Sequence, residues 1–572
     1  MDYRKEYERW LQNADEATVA ELESIKNDEK EIEERFYRNL EFGTAGLRGI
    51  IGAGSNRMNS YVVGQATQGL ANQLIKTNPK DAELSVAIAY DSRIKSDEFA
   101  KCAASILAAN GIKVYLFEEL KPVPELSFTI GYKKTTAGIV ITASHNPAKY
   151  NGYKVYGADG AQLNPELASI VLEEIGKTDI FTGVKSCDFD EAVKSGIIEL
   201  IGDEVEDAYL DCVQAQCINP ELVREKGDTL KFVYTPFHGS GNKPVRKILS
   251  RIGFNDVVVV KEQEMPDGNF PTVASPNPEN KEGFELAIGY AKECGADLII
   301  GTDPDADRVG IIVKDKNGEY NTFTGNQVGA LLTEYILSSL SERGELPKDG
   351  YIVKTIVTTN LVGAICASYG IEMKEVLTGF KFIGEKIKQS EETGIGTYLF
   401  GFEESYGYLK GTYARDKDAV VATMLIAEMT LYYREKGSSI AEQMENIYKK
   451  YGYYLEYVES VVMEGMDGVA KISGIMDKLR ANTPKTVGGK KVVAVRDYLT
   501  SERIDEDGNK EEILLPSSNV LYLELEGGSN FVIRPSGTEP KIKLYCLLRG
   551  EDRAAVDALA KAVKKDIEII VK

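Results

Sequence analysis

The sequence has very little histidine, and its cysteines form no recognisable cluster. Its 572 residues include two histidines, His145 and His238. Imidazole therefore supplies little acid–base capacity near neutral pH. The seven cysteines are scattered, odd in number and contain no C-x-x-C pair. This pattern argues against a disulfide framework or a thiolate zinc site, and it fits a reducing compartment. We therefore expect a cytoplasmic protein.

Long apolar runs and an excess of positive charge are also absent. No run of about 18 apolar residues occurs, so we expect no transmembrane helix. The charged N-terminus contains no apolar signal-peptide region. Lys and Arg number 68 against 89 Asp and Glu, which gives a net charge of −21. This balance argues against nucleic acid or an anionic membrane as partner, because both are bound through Lys and Arg.

Strand and helix patterns alternate along most of the chain. Residues 1–40 predict an amphipathic helix with Trp10 and Leu11 on one face. Three blocks of alternating strands and helices follow, and the final part is rich in strands and turns and ends in a helix. This order predicts three α/β domains followed by a smaller α+β domain. The predicted domains are 1–205, 206–325, 326–450 and 451–572.

A possible nucleophile follows one of the predicted strands. Residues 139–147 read Ile-Val-Ile-Thr-Ala-Ser-His-Asn-Pro, so the strand ends at Ala143 and presents Ser144 and His145. Ligands of open α/β sheets bind at the carboxyl ends of strands. A serine hydroxyl needs a base or a metal ion to act as a nucleophile. From these residues alone an ordinary loop remains possible, because a catalytic triad is defined by geometry and not by adjacency.

A possible metal site follows another strand, where Asp303, Asp305 and Asp307 recur at every second position. In extended backbone this spacing places the three carboxylates on one side. Carboxylates that lie close together repel one another unless a cation sits between them, and an all-oxygen ligand set favours Mg²⁺. An EF-hand is excluded, because Arg308 and Lys314 occupy the positions that require Gly and Glu. A solvated acidic turn is the alternative. Arg308 would suit an anionic oxygen beside the metal.

Two further loops have polar side chains suited to sugars and phosphates. Residues 401–408 read Gly-Phe-Glu-Glu-Ser-Tyr-Gly-Tyr and could accept hydrogen bonds from sugar hydroxyls, although a solvated turn is equally compatible. Residues 534–541 read Arg-Pro-Ser-Gly-Thr-Glu-Pro-Lys, which is rich in donors for a phosphate. A P-loop and a complete G-x-G-x-x-G motif are both absent. A nucleotide cofactor is therefore not indicated, and a phosphoserine could serve as the phosphate donor.

The segments T-A-S-H-N-P, D-P-D-A-D-R, G-F-E-E-S and R-P-S-G-T-E-P occur together in this chain. In this combination and order the sequence resembles the α-D-phosphohexomutase superfamily, from about residue 40 onward. E-F-G-T-A-G-L-R-G (41–49) and T-G-F-K-F-I-G (378–384) resemble the long phosphoglucomutase subgroup, which includes phosphopentomutase-like enzymes. The resemblance implies four domains around a central cleft, three of them related α/β domains and the fourth a smaller α+β domain.

The resemblance also implies roles for individual residues. Ser144 would carry the phosphoryl group, and one Mg²⁺ per chain would bind Asp303, Asp305, Asp307 and an oxygen on Ser144. Residues near the reacting groups would be Arg48, His145, Lys154 and Lys381. Substrate-binding residues would be Arg308, Thr378, Gly379, Glu403, Ser405, Arg415, Lys417, Arg534, Ser536, Gly537 and Thr538.

The implied activity is interconversion of glucose 1-phosphate and glucose 6-phosphate, with glucose 1,6-bisphosphate as intermediate and activator. Phosphopentomutase, phosphomannomutase and glucose-1,6-bisphosphate synthase remain alternatives with the same chemistry. The loop Glu-Glu-Ser-Tyr-Gly is nearer the glucose type than the Gly-Glu-x-Ser-Gly-His of dual-specificity enzymes. A non-catalytic phosphosugar-binding protein and a metal-dependent phosphatase are the alternatives from other classes. We expect a small phosphosugar as partner and a monomer or homodimer.

Overall fold

The computed structural model describes residues 2–43, 46–463, 468–536 and 541–570. The chain divides into two units. The first contains Met1–Phe323, Ile383–Ile395 and Tyr406–Tyr432, and the second contains Thr324–Phe382, Gly396–Ser405 and Tyr433–Lys572. Within the described ranges, none of the helices combines the length and the apolar character that crossing a bilayer requires.

The N-terminal segment forms separate helices, so the prediction of one amphipathic helix is wrong in this respect. The helices are α1 (Tyr3–Asn13), α2 (Glu16–Ser24) and α3 (Glu29–Phe36). Asp15 and Asp28 accept backbone hydrogen bonds at the starts of α2 and α3, which is how N-cap residues begin new helices. Trp10 is fully buried, and its ring centroid lies 5.8 Å from that of Phe36.

The first sheet contains parallel strands with an antiparallel edge. The elements are β1 (Leu47–Ile50), α4 (Ser60–Thr77), β2 (Ser85–Tyr90), α5 (Ser96–Ala109), β3 (Lys113–Phe117), α6 (Val123–Lys133), β4 (Ala137–Ile141), β5 (Tyr150–Gly157), α7 (Pro165–Lys177), α8 (Phe189–Lys194), β6 (Ile198–Ile201) and α9 (Asp203–Gln214). The strand order is β1-β5-β4-β2-β3-β6. Strands β4, β2, β3 and β6 are parallel, and β5 and β1 are added antiparallel.

The second sheet, also in the first unit, repeats this arrangement. Its elements are α10 (Pro220–Lys226), β7 (Phe232–Thr235), α11 (Asn242–Ile252), β8 (Val257–Val259), α12 (Lys261–Glu264), α13 (Glu285–Cys294), β9 (Leu298–Thr302), β10 (Val309–Lys314) and β11 (Tyr320–Phe323). Short 3₁₀ turns lie at Gly227–Thr229 and Lys281–Phe284. The order is β11-β10-β9-β7-β8, with β9, β7 and β8 parallel.

The third block contains α14 (Gly325–Glu342), β12 (Gly350–Thr355), α15 (Leu361–Tyr369), β13 (Glu372–Val376), α16 (Phe380–Thr393), β14 (Thr397–Glu403), β15 (Gly407–Leu409), α17 (Ala419–Glu435) and α18 (Ile440–Tyr451). In the second unit, β13, β12 and β14 are adjacent and parallel. These strands therefore repeat the order of β8, β7 and β9 and of β3, β2 and β4.

The C-terminal block is a mostly antiparallel sheet with two helices. Its elements are β16 (Tyr453–Val462), α19 (Gly468–Ala481), β17 (Thr486–Val487), β18 (Lys490–Asp497), β19 (Glu502–Asp505), β20 (Lys510–Glu512), β21 (Leu521–Leu525), β22 (Asn530–Pro535), β23 (Lys541–Gly550) and α20 (Arg553–Ile570). The order is β16-β23-β22-β21-β18-β19-β20. The predicted fold class, three α/β blocks and a smaller α+β block, is confirmed. The domain boundaries near 205, 325 and 450 stay a prediction.

Candidate active site

Ser144 lies in a tight turn just after β4. The strand ends at Ile141, earlier than predicted, and the backbone at Ser144 is left-handed with φ +52°. A residue other than glycine pays about 1–2 kcal/mol for this conformation. The turn is closed by the Ser144 amide, which donates to Thr142 Oγ1 at 2.8 Å. Ser144 Oγ donates to Asp303 Oδ2 at 2.9 Å, and His145 Nδ1 lies 3.2 Å from Ser144 Oγ.

The three predicted metal ligands converge after β9. Asp303 and Asp305 are fully buried and Asp307 is 2% exposed. One carboxylate oxygen from each lies within 4.8 Å of the others. The predicted reason for this convergence is wrong, because the loop is a series of turns with φ +48° at Ala306 and not an extended strand. The turn lets the Asp307 amide donate to Asp303 Oδ1 at 3.1 Å.

The unpaired oxygens of this loop fit a divalent cation. Among the described residues, Asp305 Oδ1 and Asp307 Oδ1 are buried without a hydrogen-bond partner. A buried carboxylate oxygen with no partner is unfavourable, and a bound cation would remove that penalty. The donors are all carboxylate oxygens, which is the ligand type that Mg²⁺ prefers. The residues present therefore fit the expected Mg²⁺.

Two lysines lie beside the aspartates. Lys154 Nζ, from β5, is 3.0 Å from Asp305 Oδ2. Lys417 Nζ is 3.1 Å from Asp307 Oδ2 and 2.8 Å from Asp416 Oδ1. Lys417, expected to bind substrate, thus contacts the acidic loop directly.

Burial and charge change the ionisation of this group of side chains. Burial raises the pKa of Asp303 well above its ordinary value, and the neighbouring aspartates raise it further. Burial is the largest influence on Asp305 and acts to raise its pKa, but the Lys154 charge, hydrogen bonds with Asp303 and Lys154, and the Lys417 charge together lower the pKa of Asp305 below its ordinary value. Burial, reinforced by the Arg308 charge, lowers the pKa of His145 well below its ordinary value. His145 is therefore a neutral imidazole near pH 7.

Two predicted arginines lie close to these loops. Arg48, on β1, donates from Nη1 to Asn146 Oδ1 at 3.3 Å, next to the Ser144 turn. Arg308 Nε lies 3.8 Å from Asp307 Oδ1, and its Nη1 donates to Glu279 Oε1 at 3.0 Å.

Arg415, also expected to bind substrate, is engaged in local contacts. It forms an ion pair with Glu391 and donates from Nη1 to the Ala414 carbonyl at 3.1 Å. Its backbone amide donates to Ser127 Oγ at 2.8 Å. The structure therefore places the guanidinium of Arg415 against α16 and does not bring it to the three aspartates.

The predicted sugar-binding residues lie in the second unit. Glu403 is at the end of β14, is 6% exposed and accepts from the Gly379 amide at 2.8 Å. Gly379 has φ +123°, which favours glycine. Thr378 Oγ1 is buried and has no hydrogen-bond partner among the described residues. Ser405 and Lys381 are half-buried. Glu403, Gly379 and Thr378 are therefore brought together.

Part of the predicted phosphate loop lies outside the described residues. Arg534 is on β22, opposite Lys543 of β23, and the Ser536 amide donates to the Lys541 carbonyl at 2.8 Å. Gly537 and Thr538 belong to the ranges that the structure does not describe.

Two residues beside Ser144 are not part of the predicted site. Thr142 Oγ1 donates to Asp305 Oδ2 at 3.0 Å and links the two loops. Arg93 donates to the backbone carbonyl of Ser144. A signal for Arg93 exists in the sequence, because Asp91-Ser92-Arg93 follows strand β2 as the other polar loops follow β4, β9 and β14.

Comparisons with known proteins cover most of the chain. Models of the phosphoglucomutase/phosphomannomutase alpha/beta/alpha domains I, II and III match residues 39–180, 207–318 and 324–451. The chain is 38% identical over 546 residues to a phosphoglucomutase of Staphylococcus haemolyticus (strain JCSC1435), covering 95% of this chain and 96% of the relative. It is 39% identical over 552 residues to a phosphoglucomutase of Staphylococcus aureus (strain USA300), covering 95% of each.

Two solved structures share the fold at low sequence identity. The open form of parafusin, a phosphoglucomutase from Paramecium, has a TM-score of 0.70 and 17% identity, covering 93% of this chain and 95% of that one. A phosphoglucomutase/phosphomannomutase family protein from Burkholderia thailandensis has a TM-score of 0.64 and 17% identity, covering 92% and 97%.

Proposed function

Because the chain belongs to the phosphoglucomutase/phosphomannomutase family, we propose that its main reaction interconverts glucose 1-phosphate and glucose 6-phosphate. It is a phosphohexose mutase, an isomerase-class phosphotransferase. Within this class, the observation that carries our proposal is the hydrogen bond from Ser144 Oγ to Asp303 in a buried loop of three aspartates. A hydroxyl next to a cation-binding loop is the arrangement that phosphoryl transfer through serine requires.

Phosphoglucomutases generally use Mg²⁺, and we propose one ion per chain. Asp303, Asp305 and Asp307 would hold it, together with an oxygen on Ser144. When bound, the ion supplies positive charge that stabilises the transferring phosphoryl group. Lys154 and Lys417 lie 3.0 and 3.1 Å from these carboxylates and supply further positive charge around the same loop.

The chain's own residues would carry out two transfers. In the first, phosphorylated Ser144 gives its phosphoryl group to O6 of glucose 1-phosphate, so that the P–Oγ bond breaks and a P–O6 bond forms. The O6 proton goes to a base, and Ser144 Oγ regains a proton. Glucose 1,6-bisphosphate then reverses its orientation in the site. In the second transfer it returns its O1 phosphoryl group to Ser144, so that the P–O1 bond breaks and a P–Oγ bond forms. The same bisphosphate would activate the enzyme by phosphorylating Ser144.

We propose that the remaining site residues bind the phosphosugar and orient its reacting groups. Neutral His145, with Nδ1 3.2 Å from Ser144 Oγ, is suited to exchange a proton with it. Arg48, Lys154 and Lys381 would stabilise charge near the reacting groups. The proposed sugar-binding residues are Thr378, Gly379, Glu403 and Ser405. The proposed phosphate-binding residues are Arg308, Arg415, Lys417, Arg534, Ser536, Gly537 and Thr538. We further propose a cytoplasmic monomer or homodimer.

Parallel assays test the proposed sugar preference. The Mg²⁺-loaded protein is given glucose 1-phosphate, mannose 1-phosphate or ribose 1-phosphate with catalytic glucose 1,6-bisphosphate, and kcat/KM is measured for each. We expect the highest kcat/KM with glucose 1-phosphate and no steady release of inorganic phosphate. A higher kcat/KM with mannose 1-phosphate or ribose 1-phosphate would contradict the proposal, and steady phosphate release would point to a phosphatase.

A further inference from the structure

Arg93 hydrogen-bonds to several backbone carbonyls of the Ser144 turn. Its Nη2 donates to the backbone carbonyls of Ser144 and Asn146. Its Nη1 donates to the carbonyls of Pro147 and Tyr150 at 3.1 and 3.0 Å. One guanidinium therefore donates hydrogen bonds to four backbone carbonyls within the seven-residue loop segment 144–150.

The guanidinium is held rigidly from its other side. Arg93 and Asp91 have fully buried side chains, with Nε 3.3 Å from Asp91 Oδ2. Asp91 Oδ1 accepts from the Arg93 amide at 2.9 Å and from Ser96 Oγ at 2.7 Å. The Phe270 ring covers the guanidinium, with its centroid 5.0 Å from Cζ. Because both ends of the side chain are fixed, its position determines the position of the loop.

The loop needs such a constraint, since Ser144 has a left-handed backbone. A short polar loop with free carbonyls would relax to the right-handed or extended regions that most residues prefer. Relaxation would rotate the Ser144 side chain away from Asp303, whose Oδ2 is now 2.9 Å from Oγ. The four carbonyl contacts oppose that rotation.

We propose that Arg93 is a positioning residue for the nucleophile, holding the Ser144 turn so that Oγ faces the three aspartates. This inference rests on the proposed function, because it assigns Arg93 a role in the transfer step at Ser144. The planar fork of arginine is essential to this role. A lysine would keep the charge but could not donate to four carbonyls in two directions.

The experiment compares Arg93→Lys and Arg93→Ala with wild type and with Arg57→Ala. Arg57 is a suitable control, because it is 4% exposed and pairs with Glu31 and Glu34 away from the Ser144 turn. The Mg²⁺-loaded proteins convert glucose 1-phosphate with glucose 1,6-bisphosphate present. For each protein, kcat, KM and the thermal unfolding midpoint are measured, with and without millimolar guanidinium chloride or methylammonium chloride.

A positioning role predicts a split between kcat and KM. We expect kcat of Arg93→Lys to fall about a hundredfold while KM changes about twofold or less, because a small misplacement of a reacting group affects the transfer and not the binding. Guanidinium should raise kcat of Arg93→Ala several-fold, whereas methylammonium should not. Neither salt should raise the kcat of Arg57→Ala, which should remain close to that of wild type.

Two results would overturn the proposal: wild-type kcat in Arg93→Lys, or a loss of kcat in Arg93→Ala that guanidinium does not reverse. If Arg93→Ala does not fold, the kcat of Arg93→Lys alone tests the proposal. If wild-type protein forms no glucose 6-phosphate, the proposed function has failed instead, so the two failures are distinguishable.

Discussion

At the scale of single residues, the acidic loop after β9 concentrates negative charge in a buried space. Lys154, Lys417 and Arg308 lie within 4.0 Å of the oxygens of Asp305 and Asp307. Burial and the two neighbouring aspartates nevertheless raise the pKa of Asp303 well above its ordinary value. Close like charges in a medium of low dielectric constant repel strongly. A divalent cation would relieve this repulsion, and the loop should therefore bind one tightly.

The ligand role of Asp305 can be tested by removing one charge. Asp305→Asn replaces a carboxylate whose Oδ1 has no hydrogen-bond partner among the described residues. We expect the Kd for Mg²⁺ to rise by at least about a hundredfold, since even substitutions of outer-shell partners reduce metal affinity by up to that factor. Isothermal titration calorimetry gives the value directly.

Asp297→Asn is the matched control, because Asp297 lies just before β9 with its side chain 75% exposed. Its Kd for Mg²⁺ should equal that of wild type. An unchanged Kd in Asp305→Asn would remove Asp305 from the set of ligands.

The sequence motifs mark the candidate nucleophile and metal ligands but not the contacts that hold them. Ser144 and the three aspartates could be predicted because each follows an apolar strand and has distinctive chemistry. Arg93 has a partial signal, because it lies in a polar loop after strand β2. Its contact with the Ser144 carbonyl and the contact of Thr142 with Asp305 could not be predicted, since they join segments far apart in the chain. The contact of Lys417 with Asp307 spans 110 positions, and no local pattern marks it.

At the scale of elements, helix α6 connects the acidic loop to a buried glutamate. Its first amide, Val123 N, donates to the Asp305 carbonyl at 2.9 Å. Two residues later, Glu125 is fully buried, with Lys121 Nζ 3.8 Å away and no hydrogen-bond partner for either carboxylate oxygen among the described residues. Burial raises the pKa of Glu125 to about 8, although the Lys121 charge opposes the increase.

This raised pKa predicts a loss of stability at alkaline pH. The pKa in the folded state lies above the ordinary value of 4.5, so the folded protein holds a proton that the unfolded chain releases. The contribution to stability is complete below that ordinary value and is lost as the pH rises through about 8. Glu125→Gln cannot ionise, so its stability relative to wild type should increase by roughly 4 kcal/mol between pH 5 and pH 9, most of it below pH 8.

Differential scanning calorimetry across this pH range gives the unfolding midpoints. Glu166→Gln, at an exposed position in the first turn of α7, should follow the wild-type pH dependence. A constant difference in midpoint between wild type and Glu125→Gln would show that Glu125 does not titrate as described.

Helix α14 packs closely against the strand that carries Glu403. A Cβ atom on Gly329 would lie 2.0 Å from Phe402 Cε2. Gly329→Ala should therefore displace β14, destabilise the protein by about 1–3 kcal/mol and raise KM for glucose 1-phosphate. Calorimetry and steady-state kinetics measure the two effects.

Gly289→Ala is the matched control, since a Cβ on this exposed residue of α13 meets nothing within 4 Å. It should increase stability slightly, by up to about 1 kcal/mol, because alanine favours helix. If the two variants had equal stability and KM, the close packing of α14 on β14 would be unimportant.

Element boundaries were predictable where a cap marks them. Helix α5 ends at Ala109, where Asn110-Gly111 is a stop signal that the sequence alone shows. The predicted end of β4, Ala143, is two residues later than the observed end, Ile141. The apolar pattern continues to Ala143, but the Thr142 side chain accepts a hydrogen bond from the Ser144 amide and forms a turn there. Side-chain hydrogen bonds to the backbone end a strand without changing its hydrophobic pattern.

At the scale of the whole molecule, three blocks share one strand order, and each has a polar loop after the corresponding strand. These loops follow β4, β9 and β14. The first two carry Ser144 and the three aspartates, and Glu403 is the last residue of β14, directly before the third loop. The alternation of strands and helices was enough to predict three α/β blocks. The contact pattern within each unit was not predictable, because segments such as Tyr406–Tyr432 join a unit whose other residues lie mostly before position 324.

The central claim is that Ser144 carries the phosphoryl group, and the most direct test is the intact mass of the protein. Purified protein is weighed before and after incubation with glucose 1,6-bisphosphate and Mg²⁺, and the modified peptide is sequenced. We predict a fully occupied state with one phosphoryl group on Ser144, which is absent in Ser144→Ala and retained in the exposed control Ser169→Ala. A wild-type protein that never carries a phosphoryl group, or that carries it on another residue, would contradict this account.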